Sequence, residues 1–299
     1  MMKKWYRWFS LVLLTMTLSA CRFFNSEVSN TQSPSPHAKQ SSAAQQPYLE
    51  TSTPTFYVHG YNGSANSTNS LIYTAQQQAG SNSILRVTVA KDGRLHYSGS
   101  WEKHAINPLV QIVFSDNSAP YDTQAAWLKA VIQQTAAKYP FKTYQIVAHS
   151  AGNVAAVDML MTPNLPANFP KITKFVSIAG CYNGVITIDD VANQNYFMPD
   201  GLPAYQRAAY QLLDSKRQNF PKGVHILNIM GDLKNGSHSD GLVSEVSARS
   251  LKVLIRGHQA DYTELVYTGS AAQHSRLHEN KAVATRVDQY LWGNPANQN

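Results

Sequence analysis

From Thr55 onward the chain carries eight short runs of β-branched and aromatic residues, several of them apolar at nearly every position. A strand with no polar side must be covered on both faces, which a sheet with one wet face does not require. The runs are Thr55–His59, Ile84–Ala90, Leu109–Phe114, Tyr144–Ala148, Ile172–Ala179, Val224–Met230, Leu251–Ile255 and Tyr262–Tyr267. Longer stretches between them keep helical spacing: Leu128, Val131, Ile132 and Tyr139 share one face of Thr123–Tyr139, and Val283, Val287 and Leu291 share one face of Lys281–Leu291. Strand runs alternating with helices predict an α/β fold, doubly wound around a mostly parallel sheet. Residues 182–222 have little strand character and a helical stretch near Pro203–Asn219, and they read as a lid-like insertion.

The N-terminal fifty residues obey different rules. Lys3, Lys4 and Arg7 precede the apolar run Leu11–Leu18, which is shorter than the roughly 20 residues a spanning helix needs and reads as a secretory signal. The tetrapeptide Leu18-Ser19-Ala20-Cys21 resembles the bacterial lipobox. That resemblance implies cleavage before Cys21 and lipidation of its thiol, hence an exported protein held at the extracellular face of the membrane. An ordinary signal peptide that leaves an unpaired Cys is the alternative. Residues 1–20 are therefore read as signal and 21–50 as a linker, since Arg22–Glu50 holds six Ser, four Gln and three Pro. As a flexible coil that linker spans about 30 Å, and about 100 Å when fully extended. Residues 51–299 form the folded domain.

Charge narrows the partners. Lys plus Arg outnumber Asp plus Glu by 25 to 18, and three of the excess positive charges lie before Cys21. The remaining surplus is too small to indicate nucleic acid binding. Hydrophobic residues at 43% against 14% charged exclude a disordered chain.

The chemistry gathers at strand ends. In YQIVAHSAGN, Ser150 follows a strand and precedes the helical stretch Asn153–Met161, the setting of a nucleophile elbow. A nucleophile held on so sharp a turn needs small neighbours two positions away, here Ala148 and Gly152. In TFYVHGYNG the backbone N–H of Tyr61, just after His59-Gly60, and that of Ala151, just after Ser150, are candidate oxyanion donors. His59 reads as a residue that packs or orients this loop. After VHILNIMG comes a polar loop with Asp232, His238 and Asp240. Asp240 is the best placed to orient a histidine, while Asp232 at the strand end suits a turn. Asp232, Asn235, His238 and Asp240 also offer metal ligands, but in no calcium-loop order. His274 and His278 follow the last strand, and His274 is the preferred base because His278, nearer the final helix, suits capping that helix or packing under the loop. Cys181 reads as a buried thiol rather than a nucleophile.

The segments FYVHGYNG, VTVAKDGRLHYSG before NPLVQIVF, AHSAGN, LNIMGDLKNGSHSDGLVSEVSA and AQHSRLHEN before DQYLW together resemble the α/β-hydrolase superfamily. Within it the likeness is to the uncharacterised cell-surface hydrolase family of Gram-positive bacteria, related to minimal bacterial lipases, and it covers Pro54 to Trp292. The resemblance implies a Ser150, Asp240, His274 triad with Tyr61 and Ala151 as oxyanion amides, no metal or cofactor, and a small-molecule or lipid ester as substrate. A peptidase or acyltransferase would use the same triad, and a surface-binding module that has lost turnover would keep the same fold. The elbow departs from the common Gly-His-Ser-Met-Gly pattern at Ala148 and Ala151, which bears on substrate shape more than on activity.

Overall fold

The computed structural model describes residues 47–295, so the signal segment, Cys21 and most of the linker lie outside the described residues. Eight strands form one sheet in the order β3-β2-β4-β1-β5-β6-β7-β8. They are β1 (Thr55–Val58), β2 (Ile84–Val89), β3 (Leu95–Ser100), β4 (Leu109–Phe114), β5 (Thr143–His149), β6 (Lys171–Ile178), β7 (Val224–Asp232) and β8 (Gln259–Thr268). Every pairing is parallel except β2 with β3, which is antiparallel.

The helices are α1 (Asn66–Ala79), α2 (Tyr121–Lys138), α3 (Ala151–Leu160), α4 (Ala208–Asp214), α5 (Glu245–Leu254), α6 (His274–Leu277) and α7 (Lys281–Trp292). Strand alternation divides the core. Tyr57, Val147, Leu227 and Ile229 point into one apolar layer with α1 and α7. Phe56, Val58, Ile146, Ala148 and Ile226 point into the other, with α2, α3, α4 and α5. Both faces are covered, which is why the central strands need no polar side.

Two elements differ from the sequence reading. The run Leu251–Ile255 is not a strand: Leu251–Leu254 form the last turn of α5, and Ile255 caps it. Ser244 caps that helix by accepting from the Ser247 N–H, and Ser247, Leu251 and Leu254 form a buried i, i+4, i+7 stripe, so the helical period overrides the short apolar run. Strand β3 carries no strand signal of its own because its outer positions are exposed, and it exists by pairing with β2. Tyr48 and Leu49, read as linker, belong to the domain: Tyr48 bridges Gly293, and the Leu49 N–H donates to the Trp292 carbonyl at 2.7 Å. Within the insertion, α4 and a 3₁₀ turn at Arg217–Asn219 are the helical parts. Among the described residues no helix is long and apolar enough to cross a membrane.

Candidate active site

Strand β5 lies at the middle of the sheet between β1 and β6, and Ser150 stands at its carboxyl end, directly before α3. Its backbone is strained, with φ +52° and ψ −127°, a region nearly reserved for glycine that costs about 1–3 kcal/mol. The surroundings hold it there. The Ser150 N–H donates to the Ile178 carbonyl at 3.0 Å, and the Asn153 side-chain amide donates to the carbonyls of Ser150 at 3.1 Å and Ile178 at 2.9 Å. Close neighbours must be small. A Cβ on Gly60 would lie 2.8 Å from the Ser150 Cβ, and one on Gly152 would lie 2.4 Å from the His59 carbonyl oxygen.

Three side chains meet above the elbow. His274 Nε2 is 2.8 Å from Ser150 Oγ, and its Nδ1 is 2.8 Å from Asp240 Oδ2. Asp240 is buried, and its Oδ1 accepts from the backbone N–H groups of Leu242 at 2.9 Å and Val243 at 2.7 Å. A carboxylate held in this way leaves Oδ2 to accept from Nδ1–H, so His274 turns the lone pair of Nε2 toward the serine hydroxyl. The His274 N–H also donates to the Asp240 carbonyl at 3.0 Å, so backbone and side chain align the pair together.

Tyr61 and Ala151 line the same cavity as Ser150, which has a volume of about 560 Å³. Ala151 opens α3, where a helix leaves its first N–H groups without partners inside the helix. His59 orients the β1 loop, as read from the sequence. Its Nε2 accepts from the Phe114 N–H at 3.1 Å, so Nδ1 carries the proton donated to the Gly60 carbonyl at 2.8 Å, and burial lowers its pKa.

Of the two roles read for His278, it packs and does not cap the final helix. Asn280 caps that helix, its side chain accepting from the Ala282 N–H at 2.9 Å, while His278 is buried with its ring edge-on to His149 at 4.5 Å. Sequence reasoning missed His149 and Asn153. For Asn153 a signal was present, a polar residue in the first turn of a helix whose other polar side chain is Asp158 alone. His149 donates Nε2–H to the His274 carbonyl at 3.1 Å. Burial first, and then the neighbouring His274 and His278, hold its pKa well below the usual histidine range.

The metal-ligand set suggested by the sequence is divided by the fold. Asp240 faces His274, and Asn235 accepts from the Ser237 N–H in a local turn. Asp232, His238 and Glu245 do bring one ligand atom each to within 4.8 Å of one another. Cations of the chain already serve both carboxylates: Lys234 Nζ lies 2.9 Å from Asp232, whose pKa it lowers, and Arg249 pairs with Glu245. Asp232 Oδ1 also accepts from the Lys234 N–H at 2.8 Å, the turn role expected of a carboxylate at a strand end. Cys181 is a free, buried thiol among the residues lining the cavity, its pKa pushed up to about 12 by burial, and it remains protonated.

Residues 42–294 match the family model described as "Alpha/beta hydrolase of unknown function (DUF915)". The chain belongs to this family. The α/β-hydrolase fold is shared with a gene product of Listeria innocua, at 22% identity and TM-score 0.73 over 80% of this chain and 93% of that one. It is shared also with a Lactobacillus plantarum WCFS1 protein described as a cell surface hydrolase, at 25% identity and TM-score 0.67 over 80% of this chain and 91% of that one. No curated protein matches the chain. For this α/β-hydrolase, the sequence-derived residues Ser150, Asp240 and His274 converge, Tyr61 and Ala151 stand beside them, and Cys21 lies outside the described residues.

Proposed function

We propose that this α/β-hydrolase is an exported, membrane-anchored serine hydrolase that cleaves carboxylic esters through an acyl-enzyme. The observation that carries the reading is the continuous hydrogen-bond chain from Asp240 through His274 to Ser150, 2.8 Å at each link, opening on a cavity. His274 Nε2 takes the hydroxyl proton as Ser150 Oγ bonds to the ester carbonyl carbon, and Asp240 stabilises the imidazolium through Nδ1–H. The tetrahedral oxyanion is met by the N–H groups of Tyr61 and Ala151. When the bond to the alcohol breaks, Nε2–H protonates the leaving oxygen. A water then enters by the reverse path and frees the acid, so a Ser-His-Asp site completes the cycle with no metal or cofactor.

The decisive experiment is labelling with a fluorophosphonate, which reacts only with an activated serine. Labelling of the native chain and its loss in a folded Ser150→Ala variant support the reading, and a native chain that resists labelling overturns it in favour of a binding module. Ester, amide and acyl-transfer substrates compared on the same enzyme separate an esterase from a peptidase or acyltransferase. Export and anchoring are supported by the Leu11–Cys21 segment and by the description of the L. plantarum neighbour. Cys21→Ser should release the protein from the membrane fraction or leave it unprocessed. Unchanged partition with normal cleavage would refute a lipid anchor.

A further inference from the structure

The cavity around Ser150 has two unlike walls, each held together by its own hydrogen bond. Val185, Ile186 and Ile188 from the insertion stand with Leu242 and Val243 from the loop after β7, and the Ile186 N–H donates to the Leu242 carbonyl at 2.8 Å. Thr187 is the polar exception on that side. The polar part of the lining is Asn62 from the loop after β1 and Ser67 from the first turn of α1, with Ser275 of α6 and His278 that caps it. Ser70 of α1 donates to the Glu279 carbonyl at 3.3 Å, so these two elements form one surface.

Among the described residues no Lys, Arg, Asp or Glu lines this cavity. Two of its histidines, His149 and His278, are held toward the neutral form, since burial lowers the pKa of both. A substrate group carrying a fixed negative charge would lose water there and find no cation, which is costly.

The chemistry assigns the walls. The leaving oxygen must take its proton from His274 Nε2, so the alcohol half of the ester lies on the side of α6, where Ser275 and His278 belong to the same short segment as His274. The acyl half is left to the insertion side.

From this, and resting on the triad reading above, we infer that the substrate joins an apolar acyl chain to an uncharged polyhydroxylic alcohol. The chain lies along Val185–Ile188 and Leu242–Val243, and the alcohol's hydroxyls face Asn62, Ser67, Ser275 and His278. Acyl groups of one or two carbons leave the apolar wall unfilled, and alcohols bearing phosphate or carboxylate meet a wall with no charge to pair them.

The test uses the full chain, three glycerol esters (1-octanoylglycerol, its 3-phosphate, and 1-acetylglycerol), and ethyl octanoate as an ester whose alcohol has no further hydroxyl. The expected kcat/KM for octanoylglycerol exceeds that for each of the other two glycerol esters by about tenfold or more. Ile186→Ser should shrink the octanoyl over acetyl ratio while leaving the neutral over phosphorylated ratio in place. Ser275→Val should lower octanoylglycerol relative to ethyl octanoate. Equal or better turnover of the phosphate ester, or an unchanged chain-length ratio in Ile186→Ser, overturns the assignment. Fluorophosphonate labelling of Ser150 is read in parallel: intact labelling with flat selectivity rejects the substrate class alone, and absent labelling rejects the triad and the substrate class together.

Discussion

His149 donates its Nε2–H to the backbone carbonyl of His274 at 3.1 Å, so the residue before Ser150 supports the histidine hydrogen-bonded to Ser150. The turn at Ser150 and the loop that carries His274 are joined here by a side chain, across 125 residues of sequence.

This bond makes His149 a positioning residue. His149→Phe keeps the ring packing and removes the donor, and it should lower kcat about 10- to 100-fold with little change in KM, because the base is misplaced while the substrate walls remain. His149→Gln restores an amide N–H at similar reach and should recover most of the loss. A purely structural role predicts instead that both variants lose stability together, and thermal unfolding measured beside steady-state kinetics separates the two.

The strain at Ser150 gives a trade between stability and activity. At φ +52° and ψ −127° glycine is at ease and alanine is not, so a Ser150→Gly chain should be more stable than Ser150→Ala by about 1 kcal/mol and unfold at a higher temperature, with both inactive. Calorimetry of the two variants decides the point, and equal stability would show that the elbow is unstrained.

His274 and His278 should behave differently. His274→Ala should abolish fluorophosphonate labelling of Ser150 in a folded protein. His278→Ala removes a buried ring packed on His149, so it should cost about 1–3 kcal/mol of stability and leave labelling measurable. The reverse pattern would transfer the base to His278.

On the far side of the sheet, Asp288 is 1% exposed, and neither carboxyl oxygen has a hydrogen-bond partner among the described residues. Burial pushes its pKa up to about 8. The folded chain therefore keeps a proton that the unfolded chain releases near the ordinary carboxylate value of about 4. Its contribution is full below that value and lost as the pH rises toward 8, at up to about 1.4 kcal/mol per pH unit. Asp288→Asn cannot ionise, so urea unfolding at pH 5 and pH 8 should show native stability falling relative to the variant as pH increases. A constant gap would mean that Asp288 is already charged at pH 5.

The strand run ending in Ala148-His149-Ser150 and the chain order Ser150, Asp240, His274 were legible because they rest on local features: apolar runs too continuous for a wet sheet, small residues flanking a turn, and polar residues where strands end. By itself the sequence determined the α/β class, the elbow and the short list of partners. Other outcomes depended on distant neighbours. Strand β3 forms because β2 offers it an edge, and Leu251–Leu254 join a helix because Ser244 caps a stripe that must face the sheet. The fold drew Asp240 rather than Asp232 to His274 by giving Asp232 to Lys234, and placed His278 against His149 by giving the helix cap to Asn280. The contacts that close the site join residues 34 and 125 positions apart, so sheet order, not local propensity, decides which of several chemically equivalent side chains reaches hydrogen-bond distance of its partner.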